Sequence, residues 1–135
     1  MQTLELTSDQ FVQKQKLCPT LLTLWKRSEE GEQVTEKNGS RYKFLIKNSS
    51  LYRECISSKK MYIGRKQLVL PVECRKIVLH TAHENPVAGH FSNKKTFAKI
   101  ATHFFWPGVG RDVRNYCRSC DSCQRMSQRR TNLYR

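Results

Sequence analysis

Two histidines and two cysteines constrain this chain more than any other feature of it. His83 and His90 bracket the stretch HENPVAGH, and after a linker of 29 residues Cys120 and Cys123 bracket CDSC. Two imidazoles and two thiolates form the ligand set of a closed, tetrahedral structural zinc site, with donor atoms about 2.0–2.3 Å from the metal. A C-x-x-C turn aims two sulfurs the same way. A histidine at a helix end and another just past a short loop supply the other half. The competing reading is two unrelated histidines and a chance C-x-x-C. The histidine pair comes first, the reverse of the order in the common zinc finger.

Other donors compete for the site. His80 lies one helical turn before His83, and Cys117 stands three residues before Cys120, so Cys117/Cys120 also has C-x-x-C spacing. Cys120 and Cys123 are preferred because Cys117 falls on the apolar face of the last expected helix, beside Val113 and Tyr116. His80 and Cys117 are expected as core residues or as neighbours of the ligands. His103, Cys18, Cys55 and Cys74 have no partner at ligand spacing and read as packing or surface residues. The expected metal is a single structural Zn2+. In small finger peptides such a site contributes about 10–16 kcal/mol of coupled folding free energy, more than a small core usually supplies.

Composition bounds the function classes. No apolar run approaches the length of a membrane span, and MQTLELTSDQF lacks the basic segment and apolar core of a secretory signal. An intracellular, nuclear location is expected, where clustered cysteine and histidine bind metal rather than form disulfides. The net charge is +14, and it is uneven: residues 1–36 carry −2 and residues 37–135 carry +16. Such a concentration points to a polyanionic partner, nucleic acid above all; the bland alternative is a solubilising surface.

The pattern predicts an α+β chain: an N-terminal helix and polar loop over 1–40, a short antiparallel β-hairpin extension over 41–66, a three-helix zinc domain over 67–127 and a basic tail over 128–135. Thr7-Ser8-Asp9-Gln10 reads as a capping box before the apolar series Phe11, Val12, Leu17, Leu21, Leu22, Leu24 and Trp25, which Pro19 must interrupt. SEEGEQVTEKNGS reads as a loop. Tyr42, Phe44 and Ile46 alternate with polar residues, KNSS offers a turn, and Leu51-Tyr52-Arg53 resume. Met61 to Ile63 or Leu68 to Leu70 supply a further strand. Pro71 opens a helix ending near Glu84. Ser92 caps another running to about Phe104 with Phe97, Ile100, Ala101 and Phe104 on its apolar face, and a last helix covers Val109 to Arg118.

Gly89-His90, Lys95-Thr96, Phe105-Trp106-Pro107-Gly108, Asp112-Val113 and Cys120 to Gln124 together resemble the integrase zinc-binding domain (the His-His-Cys-Cys type) of Ty3/Gypsy-type LTR retrotransposons and related retroviral integrases. The resemblance covers about residues 67–125. It implies a zinc-held helical module that helps integrase multimerise and engage element DNA. It also implies a catalytic domain with two Asp and one Glu, which the sequence after Arg125 is too short to hold. The expectation is therefore a fragment, a truncated frame or a domesticated remnant, with no catalytic residue of its own.

Lys94, Lys95 and Lys99 on one helix, and Arg111, Arg114 and Arg118 on the next, are candidate phosphate contacts; the alternative is a solvated surface. Phe104-Phe105-Trp106 reads as core packing rather than a base-stacking platform. The leading function is a zinc-binding, DNA-associating, self-associating module. Alternatives are the N-terminal piece of an active DNA-integrating recombinase and a domesticated protein-interaction adaptor. A thiol oxidoreductase is disfavoured because its βαβ context is missing.

Overall fold

The computed structural model describes residues 7–59, 63–85, 89–90 and 92–120, with residues 85, 89 and 90 described through their backbone. Helix α1 (Ser8–Leu17) opens with the expected capping box: Thr7 Oγ1 accepts from Gln10 N, and Gln10 Oε1 accepts from Thr7 N. Pro19 starts a short 3-10 turn (Pro19–Leu21) that redirects the chain into α2 (Leu22–Glu30). Pro fits there because the first helical N–H has no intrahelical acceptor to lose.

The polar segment expected as a loop contains a strand. Gly31 ends α2 in the left-handed region (φ 69°), and β1 (Gln33–Thr35) follows, pairing antiparallel with β2 (Arg41–Lys47). Val34 supplies the apolar contact that ties this short edge strand to the core. The hairpin of β2 and β3 (Ser50–Ser57) is as expected. Its two-residue loop places Asn48 (φ 51°) and Ser49 (φ 67°) both at positive φ, the geometry that matches strand twist in tight hairpins. β4 (Lys66–Val69) extends the sheet along β3.

After β4 come α3 (Val72–His83), the two-residue strands β5 (Glu84–Asn85) and β6 (Gly89–His90), α4 (Asn93–Ala101), β7 (Phe104–Phe105) and α5 (Val109–Ser119). Ser92 caps α4 as expected, accepting from Lys95 N. The helix stops at Ala101, not near Phe104. His103 N bonds back to Ile100 O, and Phe104–Phe105 then pair parallel with Leu68–Val69. Physically, β4 would otherwise present an open row of backbone groups, and β7 closes it with Leu68 N to His103 O (2.8 Å) and Leu70 N to Phe105 O (2.9 Å). The described sheet has five strands in the order β1-β2-β3-β4-β7, larger than the expected hairpin extension.

Two apolar clusters flank that sheet. One gathers Leu70, Cys74, Val78, Leu79, Ala82, Ile100, Trp106 and Val113 where α3, α4 and α5 pack on one another. The other gathers Cys18, Leu21, Leu24, Phe44, Leu51 and Val69, so the N-terminal helices pack on the sheet. Leu17 and Leu22 of the expected apolar series face solvent, as does Phe97 of α4, while Gln15 is fully buried. On α4 the inward residues are Thr96 and Ile100. Among the described residues no helix is long and apolar enough to cross a membrane.

Candidate metal centre

His83 ends α3 and is buried at 1% exposure. Its ring stands edge-on to Tyr116, centroids 5.6 Å apart. Nδ1 lies 3.2 Å from Thr96 Oγ1 and 3.4 Å from Cys117 Sγ. α4 and α5 therefore both reach the end of α3 at this imidazole. The β5–β6 pair sets Glu84 opposite His90 and Asn85 opposite Gly89, so the chain folds straight back and the His90 backbone returns alongside the residue after His83. A two-residue antiparallel pair places facing Cα atoms about 4.5–5.5 Å apart.

Cys120 is the C-cap of α5, half-buried, with its N–H bonded to Cys117 O at 3.3 Å. The His90 side chain and all of Cys123 lie outside the described residues, so two of the four expected donors are not placed. Among the described residues no three of His, Cys, Asp or Glu converge as a metal group. The donor chemistry fits zinc: a buried imidazole, a half-buried thiol at a helix end, and a backbone fold that returns the second histidine to the first.

The competing donors are accounted for differently. His80 is exposed, not core: its Nε2 faces Glu84 at 3.2 Å and its Nδ1 faces the Tyr116 hydroxyl at 3.1 Å. Cys117 sits against His83, and burial pushes its thiol up, partly opposed by the Thr96 hydroxyl. Burial likewise raises Tyr116, with the Glu84 carboxylate adding to it. Cys18, Cys55 and Cys74 are buried in the fold, and His103 is exposed beside Phe104.

Lys94, Lys95 and Lys99 are exposed on α4, and Arg111, Arg114 and Arg118 are exposed on α5. With Val113 buried and Val109, Tyr116 and Cys117 against the core, the 3.6-residue period sets those arginines on the opposite side of α5. The Arg111 guanidinium folds back over Gly108, whose φ of 84° is a left-handed helix entry that glycine adopts freely. The aromatic triplet is packed: Trp106 is fully buried and donates Nε1–H to Asp112 Oδ2 at 2.7 Å, while Phe104 and Phe105 flank the two apolar clusters.

Sequence reasoning missed Thr96, Gln15 and Arg53. Arg53 is 7% exposed, with Cζ 3.7 Å from the Tyr42 ring centroid and 3.9 Å from that of Phe105. Its Nε donates to Gln67 Oε1 and its Nη1 to Glu36. Each of the three is a polar residue whose partner is remote in sequence; only Thr96 stood in a quoted motif, Lys95-Thr96, and that match did not say what it touches.

Comparison with known proteins bears on the same segment. Residues 70–129 match the family model described as integrase zinc binding domain. The Gypsy retrotransposon integrase-like protein 1 of Homo sapiens is 28% identical over 114 residues, 76% of this chain and 20% of that protein. Zinc finger and BTB domain-containing protein 11 of Mus musculus is 22% identical over 81 residues (60% of this chain, 8% of that protein). The retrovirus-related Pol polyprotein from transposon 412 of Drosophila melanogaster is 33% identical over 47 residues (34% and 4%). This chain thus spans about a fifth of the length of the integrase-like relatives it matches. No solved structure matches it significantly. Residues 70–129 are thus similar to the integrase zinc binding domain, and the chain is similar over 114 residues to the Gypsy retrotransposon integrase-like proteins.

Proposed function

We propose that this chain is a zinc-stabilised module of a retrotransposon-type integrase that binds DNA and self-associates, contributing no catalytic group itself. One zinc would be held by His83, His90, Cys120 and Cys123, clamping the ends of α3 and α5 together. Zinc in such a site has a structural role, with no open position for substrate. The observation that carries the DNA reading is charge: +16 on residues 37–135, with exposed lysines on α4 and exposed arginines on α5 inside the integrase-type segment. A nuclear location follows from a DNA partner.

Neutralising phosphates releases counterions, so affinity should fall by roughly 0.9 log units per log unit of salt for each phosphate contacted. The test is affinity for duplex DNA across a salt series, with the zinc-loaded chain and a variant carrying Gln at Lys94, Lys95, Lys99, Arg111, Arg114 and Arg118. A clearly shallower slope in the variant supports the reading. Equal slopes sink it. Native mass spectrometry before and after chelation tests the metal: one zinc per chain, lost together with folding, is expected. Sedimentation of the zinc-loaded chain over a concentration series tests self-association.

A second reading, a host protein-interaction adaptor indifferent to DNA, draws on the likeness to the murine zinc finger and BTB domain-containing protein. It predicts zinc-dependent folding with no salt-sensitive DNA binding. A third, the N-terminal piece of an active recombinase, predicts strand transfer only when a catalytic domain is supplied in the same polypeptide.

A further inference from the structure

We infer that Thr96 is a positioning residue for the metal site. It holds the His83 ring by accepting a hydrogen bond from Nδ1–H, which leaves Nε2 to bind zinc and keeps Cys117 out of the ligand set. This rests on the zinc reading of His83 and adds which ring atom binds and what aims it.

The geometry supplies the argument. A metal-bound histidine has one nitrogen on the metal, and its other N–H is normally fixed by an acceptor. His83 is buried, so a wrongly turned ring could not recover its lost partner from water. Thr96 is itself fully buried on the inward side of α4. It sits one turn past the Ser92 cap, with its N–H bonded to Ser92 O at 2.8 Å. Threonine has two χ1 rotamers open to it in a helix, and the one adopted here presents the hydroxyl 3.2 Å from Nδ1. A hydroxyl can accept from that nitrogen or donate to it, so the metal sets the direction: with zinc on Nε2, Nδ1 keeps its proton and Thr96 accepts it.

Cys117 offers the rival arrangement. Its sulfur is 3.4 Å from the same nitrogen, close to the roughly 3.5 Å that separates N and S donors on one tetrahedral zinc with ordinary bond lengths. Distance alone therefore fits Cys117 as a co-ligand through Nδ1. Thr96 competes with the metal for that nitrogen, because its buried hydroxyl lies within hydrogen-bond distance of it. A nitrogen that donates its proton to a hydroxyl has no lone pair for a metal, and the Cys117 sulfur lies 4.0 Å from that hydroxyl, on the same side of the ring. Cys117 thus packs at the Nδ1 edge of the imidazole, beside Thr96.

The test uses the full 135-residue chain. Long-range 15N–1H correlation spectra of the zinc-loaded wild type identify which His83 nitrogen is metallated. Chelator competition then gives zinc affinities for wild type, Thr96→Val, Thr96→Ser and Cys117→Ser. The expected result is metal on Nε2, a loss of about ten- to a hundredfold for Thr96→Val, near-recovery in Thr96→Ser, and little change in Cys117→Ser. Metal on Nδ1, with zinc lost in Cys117→Ser, overturns the inference but leaves a zinc site. Wild-type affinity in Thr96→Val also overturns it. A wild type that binds no zinc removes this inference and the zinc reading together. The nitrogen assignment is made on the wild type, so it stands even where a variant folds poorly.

Discussion

The Gln15 carboxamide trades hydrogen bonds in both directions with the Leu51 backbone, 36 residues away: Leu51 N donates to Oε1 at 2.8 Å, and Nε2 donates to Leu51 O at 3.1 Å. The same Nε2 reaches Val69 O at 2.7 Å. Gln15 thus completes the pairing of β3 with β4 where their ladder ends, and it fastens α1 to the sheet. Trp25 Nε1 donates to the Gln15 carbonyl at 2.9 Å, so α2 is tied to the same residue.

Replacing Gln15 by Met, close in volume, leaves three buried backbone groups without a partner. At about 1–3 kcal/mol for a buried unsatisfied group, with partial relaxation, a loss of about 3 kcal/mol is expected. Urea unfolding at constant slope measures it. A change under 1 kcal/mol would show that water reaches these groups.

Arg53→Lys should cost about 2 kcal/mol, although it keeps the charge. A lysine cannot sit as a plane between Tyr42 and Phe105, nor serve Gln67 and Glu36 together from one fork. Burial already disfavours the charged form, holding Arg53 below the usual arginine range despite the nearby Tyr42 and Glu36. Glu36 is 44% exposed in its side chain, so solvent screens that pair and the loss falls mainly on the rings and Gln67. Thermal unfolding with salt as a variable separates the two, since the ring contribution is insensitive to salt.

Asp112→Ala should destabilise the chain by about 2 kcal/mol by orphaning the buried Trp106 indole N–H. The Asp carboxylate also sits in the first turn of α5, where negative charge is favoured. Asp112→Asn keeps an acceptor and loses that charge, so roughly half the effect is expected. Tryptophan fluorescence should shift more for Ala than for Asn.

Stability should fall at alkaline pH through Cys74. Burial, and then the Glu73 carboxylate, raise its thiol above the ordinary value of 9.0. The folded state therefore holds this proton more tightly than the unfolded chain does. Its contribution is fully present below about pH 9 and is lost as pH climbs through the raised folded value. Unfolding free energies of wild type and Cys74→Ala across pH 7–10.5 should converge above pH 9. Parallel curves would assign the alkaline loss to other groups.

Local signals were legible because their physics is local. The Thr7/Gln10 capping box, the Pro19 break, the KNSS turn and the Ser92 cap each depend on contacts within three or four residues, and each formed where its residues stand. The expected Phe97/Phe104 face of α4 failed for the opposite reason. Phe104 is claimed by the open edge of β4, where it pairs with Leu68, 36 residues back in sequence, and Phe97 is left facing solvent while the small polar Thr96 goes inside. The edge strand β1 was missed because nothing in QVT distinguishes it from a loop until β2 offers it a partner.

The residues alone determined the α+β class, the starts of α1, α4 and α5, the uneven charge and the integrase-type segment, since these follow from spacing and side-chain chemistry. Tertiary structure decided what each polar group meets. It placed Thr96 and Cys117 at the His83 ring, Tyr116 at His80, and Gln15 at the end of a strand ladder. Sequence spacing offers ligands a list of candidates, but burial and hydrogen-bond satisfaction operate between segments far apart in the chain. Only the packed fold brings those segments within 3 Å or so of each other.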